Sequence, residues 1–153
     1  TLTLTQVLGP RRLSTELIGV VGLALAAPAA YIAVAGRLDT LAWLTWAITA
    51  GHNLISVLYV RLRIDERHAR ATRRQALWVV ATHALSFAAV IATALAGWLP
   101  ALLALPVALL LARALFVALR RPPLEDVKRF GFTEMGLGLA FAAMVIVAFV
   151  FWP

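Results

Sequence analysis

The sequence predicts an all-α fold, a polytopic transmembrane helix bundle with five spans. Three observations lead there. The chain is 63% hydrophobic and 14% charged, with a mean hydropathy of +0.91, whereas water-soluble domains are about half apolar and about a quarter charged. It contains five apolar runs, each long enough to cross a hydrocarbon core of roughly 30 Å as a helix. Its basic residues fall into clusters that alternate with pairs of spans, the pattern that orients membrane proteins. Inside a bilayer every backbone donor and acceptor needs a partner within the protein, which favours helices.

The spans are expected at about 15–35, 41–60, 75–96, 101–119 and 132–152, within a single transmembrane domain covering 1–153. The first reads TELIGVVGLALAAPAAYIAVA and the second LAWLTWAITAGHNLISVLYV. Between the spans lie GRLDT, an arginine-rich segment, GWLP and RRPPLEDVKRFG. Pro28 and Pro106 fall inside spans, where a missing N–H and a bulky ring predict kinks. Small residues recur at helical spacing, Gly22, Ala26 and Ala30 in the first span and Gly136 with Ala140 or Gly138 with Ala142 in the last. Such pairs allow helices to approach closely.

Orientation follows from the charges. Arg11 and Arg12 precede the first span, and Arg61, Arg63, Arg67, Arg70, Arg73 and Arg74 separate the second from the third. Arg120, Arg121, Lys128 and Arg129 separate the fourth from the fifth. These segments alternate onto one side, expected to be the cytoplasmic face of a bacterial inner membrane, with the C-terminus outside. The opposite loops hold only Arg37. Trp43 and Trp98 then mark the outer interface and Trp78 the inner one. The formal charge of +7 is explained by topology, and the arginine segment lacks interleaved aromatic residues beyond Tyr59. Anionic lipid head groups are therefore the expected partners of Arg61, Arg63, Arg67, Arg70, Arg73 and Arg74, and nucleic acid is not.

Polar groups inside the spans are the candidate site. Thr45, Thr49, His52, Asn53, Ser56, Tyr59 and Arg63 recur at spacings of three and four, so they share one helix face. Thr82, His83, Ser86 and Thr93 repeat the idea in the third span. One reading is hydrogen bonding between the two helices. The other starts from depth: His52 is nine residues before Arg61, and His83 nine after Arg74, placing both roughly 13 Å inside the basic interface. Two histidines at one depth could ligate a haem b, flank a quinone or relay protons. Arg113 and Glu134 reach similar depth on the last two spans. They form either a structural ion pair or, with His52, Asn53 and His83, the lining of a polar cavity.

Much is absent from the sequence. There are no cysteines, so disulfides and thiolate chemistry are excluded. No glycine-rich phosphate loop, HExxH or serine elbow occurs, so no catalytic residue and no metal ligand is assigned. The carboxylate pairs Asp65–Glu66 and Glu125–Asp126 each have basic neighbours and are expected to neutralise them.

The blocks STELIGVVGLALAAPAAYIAVAG, SVLYVRLRI and RRPPLEDVKRFGFTEMGLGLAFA resemble the second part of the YwiC-like family of bacterial multi-pass membrane proteins. The family's Pro-Arg-Glu-His-Gly motif does not occur in this sequence. The resemblance therefore implies the C-terminal five spans of a longer chain, and it implies location and architecture without an activity. A looser similarity links LYVRLRIDER to the cytoplasmic motifs of UbiA-type prenyltransferases, with Arg61 and Arg63 standing where aspartates would be wanted. The expected function is thus a structural or accessory subunit packed against other membrane-protein subunits. The alternatives are a haem- or quinone-binding module using His52 and His83, and a prenyltransferase-related protein.

Overall fold

Helices supply all the regular structure of the described residues, 13–152 of a computed structural model. The opening segment with Arg11 and Arg12, and Pro153, lie outside the described residues. Helices α1 (Leu13–Leu23) and α2 (Ala26–Ala35) together make the first apolar segment. They are followed by α3 (Thr40–Arg67) and α4 (Arg73–Leu95). A 3₁₀ turn (Ala101–Leu103) leads into α5 (Ala104–Arg120), and α6 (Val127–Val150) ends the described chain. Five segments among the described residues are long and apolar enough to cross a membrane: Thr15–Ala35, Thr40–Arg67, Arg73–Leu95, Ala101–Arg120 and Val127–Val150. The architecture is that of an all-α multi-pass membrane protein.

Two boundaries differ from the sequence expectation. Helix α3 runs through the arginines to Arg67 instead of ending near 60, because arginine is itself a good helix former. Helix α6 starts at Val127 instead of about 132. The Asp126 carboxylate accepts hydrogen bonds from the Lys128 and Arg129 N–H groups at 2.8 and 3.1 Å and caps it there.

Both prolines act one turn earlier than expected. A proline ring collides with the carbonyl four residues back and cannot bond to it. Four residues before Pro28 is Ala24, and there the first segment breaks into a turn. The Ala24 carbonyl accepts from Ala27 N–H instead, at 3.1 Å. Four residues before Pro106 is Leu102, inside the 3₁₀ turn. The expected mid-span kinks are therefore helix starts, with each proline in a first turn.

The chain divides into two compact units, Thr1–Leu58 and Tyr59–Pro153. In the first, Trp46 Nε1–H donates to the Val21 carbonyl at 3.4 Å and ties α3 to α1. Gly36, at a φ of 67°, closes α2 with its N–H on the Ile32 carbonyl. Asp39 then starts α3: one carboxylate oxygen accepts from the Leu41 and Ala42 N–H groups, the other from Tyr31 and Arg37.

In the second unit α4 packs on α5. The buried positions of α5 (Val107, Leu110, Ala114 and Val117) follow helical spacing, and Ala76, Val79 and His83 do the same on α4. Large apolar side chains such as Leu85, Leu109 and Leu119 point outward, as lipid-facing residues do. The small residues expected at helix contacts do so too. Gly22, Ala26, Ala30, Gly136, Ala140 and Ala142 are exposed, and the buried lines run instead through Ala24 and Pro28 on the first segment and Phe141 and Ala148 on α6.

Candidate functional site: a buried polar cluster around Tyr59

Helices α4, α5 and α6 each send a side chain to the ring of Tyr59 on α3. Tyr59 is itself 3% exposed. Arg113 of α5 lies over its face, the guanidinium carbon 3.9 Å from the ring centroid. His83 of α4 meets it edge-on, with centroids 6.3 Å apart at 65°. Phe130 of α6 meets it at 6.3 Å and 36°. One turn beyond Phe130, Glu134 receives Arg113 Nη1 at 2.6 Å. The guanidinium, which hydrocarbon tolerates poorly when alone, thus has a carboxylate on one nitrogen and a π-face beneath it.

His83 is 1% exposed. One of its ring nitrogens, Nδ1, lies 2.7 Å from the Val79 carbonyl. A carbonyl only accepts, so Nδ1 carries the proton and Nε2 presents a lone pair. That Nε2 is buried without a hydrogen-bond partner, and so is the N–H at Nε of Arg113. The cluster therefore leaves one acceptor and one donor unmatched, which buried groups seldom do.

A second set of polar contacts lies toward the end of α3. Arg63 pairs with Glu66 and donates from Nη2 to the Pro122 carbonyl at 2.9 Å. Arg67 Nη1 donates to the Leu124 and Glu125 carbonyls at 2.9 and 2.6 Å. The α3–α4 and α5–α6 connections therefore meet at one end of this unit. Here the structure corrects the sequence reading. Arg63, expected among the head groups, is 5% exposed, because it sits one turn after Tyr59 on the inward face. Arg67 is exposed but fastened to the neighbouring connection. Arg61 is half-buried, and Arg70, Arg73 and Arg74 are exposed.

His52 and Asn53 are half-buried on the part of α3 that belongs to the first unit. The α3 ring that meets His83 is Tyr59, seven residues beyond His52. Tyr59 belongs to the polar stripe of α3, and its spacing of four from Arg63 is the only sign in the sequence of its central place. The threonines do not bridge helices as expected. Thr45, Thr49, Thr82 and Thr93 donate to carbonyls of their own helices, an intrahelical alternative open to any hydroxyl three or four residues on.

The carboxylates near the basic end hold structure. Asp65 accepts from the Gln75 side-chain amide at 2.7 Å, Glu66 pairs with Arg63, and Asp126 caps α6. Among the described residues no three histidine, aspartate or glutamate side chains gather as metal ligands would. No family model, no curated protein and no solved structure matches this chain.

Proposed function

We propose that this chain is a non-enzymatic accessory subunit of a larger complex in a bacterial inner membrane, with its basic end toward the cytoplasm. The observation behind this reading is that the charged side chains of the second unit's interior engage one another or main-chain carbonyls: Arg113 with Glu134, Arg63 with Glu66 and Pro122. Groups held in this way fasten helices together. Catalysis asks instead for acids and bases aimed at a substrate. The resemblance of three sequence blocks to YwiC-like proteins supports the location. Open glycine faces support the partner: a Cβ added at Gly19, Gly22, Gly131 or Gly136 would meet nothing within 4 Å, and small residues are where membrane helices approach one another.

Solubilising native membranes in a mild detergent tests this. The chain should migrate in a discrete complex with other subunits, and Gly19→Leu with Gly22→Leu should disperse it without changing the chain's own melting temperature. A stable, active monomer would overturn the reading.

One observation favours a second reading, a haem- or quinone-binding module. His83 Nε2 is a buried lone pair held in position by the Nδ1–H bond to Val79. A haem iron or a quinol hydroxyl is the kind of group such a nitrogen takes. The purified protein should then show a Soret band lost in His83→Ala, or a bound quinone in its solvent extract lost in His83→Ala. A colourless preparation free of quinone removes this reading.

A further inference from the structure

The two turns at the basic end of the second unit border a half-open cavity of about 380 Å³, lined by Glu66, Arg67, Ala69, Ala71 and the segment from Arg121 to Leu124. Its walls follow from local chemistry. Helix α5 stops because Pro122 and Pro123 cannot extend it, and Arg121 ends it in the left-handed region at a φ of 43°. Helix α3 stops at Arg67, and Ala69 turns the chain at a φ of 53°. Ala69 and Arg121 are the non-glycine residues with positive φ among the described residues, and both line this cavity. Such a conformation is strained for a residue with a side chain and collects where a site needs it.

Charge and depth specify the occupant. Of the three charged residues in the wall, Glu66 is already neutralised by Arg63. Arg67 and Arg121 have no carboxylate partner among the described residues, and Arg67 is steadied by its two carbonyl bonds. The 28 residues of α3 span about 42 Å, well beyond a hydrocarbon core of roughly 30 Å. Its last turns therefore reach the level of the lipid phosphates. We infer that this cavity is a binding site for the phosphate head group of an anionic lipid, held between Arg67 and Arg121.

The test uses the chain in nanodiscs of phosphatidylcholine alone or with added phosphatidylglycerol. Native mass spectrometry should show phosphatidylglycerol retained after delipidation, and its presence should raise the melting temperature. Arg121→Gln should weaken retention about fivefold, since one arginine near an anionic surface contributes roughly 1 kcal/mol. Lys128→Gln, exposed at the start of α6 and outside the cavity, should leave retention unchanged. Equal losses in both variants would mean diffuse surface charge and overturn the site, as would retention without preference for the anionic lipid. Inorganic phosphate or glycerol 3-phosphate is added in a parallel arm to phosphatidylcholine nanodiscs. An equal rise in melting temperature there would make the ligand free phosphate and overturn the lipid assignment.

Discussion

The Arg113–Glu134 pair, 2.6 Å from Nη1 to Oε1, joins α5 to α6 at the depth that residue counts from the nearest surface arginines give. Counting works here because each helix advances a fixed distance per residue. It says nothing about azimuth, so the Tyr59 ring beneath the guanidinium was not legible, whereas the spacing of four did put Arg63 on the same face as Tyr59. An ion pair largely withdrawn from water, as this half-buried one is, is costly to break and cheap to replace. Glu134→Gln alone should therefore destabilise the protein by about 3 kcal/mol, read by thermal unfolding in detergent, whereas Arg113→Leu with Glu134→Leu should recover most of the loss. If the double variant is the worse of the two, the pair is not the element that matters. Asp39 offers a second test, outside the spans. Burial works to raise its carboxyl, but the hydrogen bonds from Tyr31, Ala42 and Leu41 and the charge of Arg37 outweigh burial and hold it below the usual range. The native state thus favours the ionised form. Asp39 contributes stability above the unfolded carboxylate's pKa of about 3.9, and loses it as pH falls through the lower folded value. Asp39→Asn should flatten that acid limb of the stability profile; a parallel profile would show that Asp39 adds nothing.

At the scale of the element, helix starts and stops were the least legible part of the sequence. Hydropathy locates the apolar stretch that lipid will accept. The helix itself continues until backbone chemistry stops it, which is why α3 runs on through charged residues to Arg67. The stops are local devices: Thr72 accepting from the Gln75 N–H at the start of α4, Asp126 at α6, and Gly36 at the end of α2. Gly36 is left-handed, so Gly36→Val should cost about 1–2 kcal/mol while Gly36→Asn, tolerated in that region, should cost less. Equal unfolding temperatures for the two variants would show that backbone conformation is not what glycine supplies there. Asp126→Ala should lower stability by about 1 kcal/mol through the lost cap, and chemical denaturation of the reconstituted protein measures it.

For the whole molecule, fold class and span count were legible because they depend on composition and periodicity summed over many residues, where local errors average out. The absence of cysteine makes the orientation directly testable. Single cysteines at Ala69 and at Leu38 should react with an impermeant maleimide from opposite sides of sealed inner-membrane vesicles, the first from the cytoplasmic side. Labelling from the same side would refute the span arrangement. The clasp at the basic end also bears on how this protein can change over evolution. Arg63 and Arg67 grip the carbonyls of Pro122, Leu124 and Glu125, groups that every residue type possesses. Leu124 and Glu125 are thus free to drift in side-chain identity, but an inserted or deleted residue in the connection between α5 and α6 would move the carbonyls out of reach. Variation among relatives should therefore accumulate as substitutions at these two positions, with the length of the loop held constant.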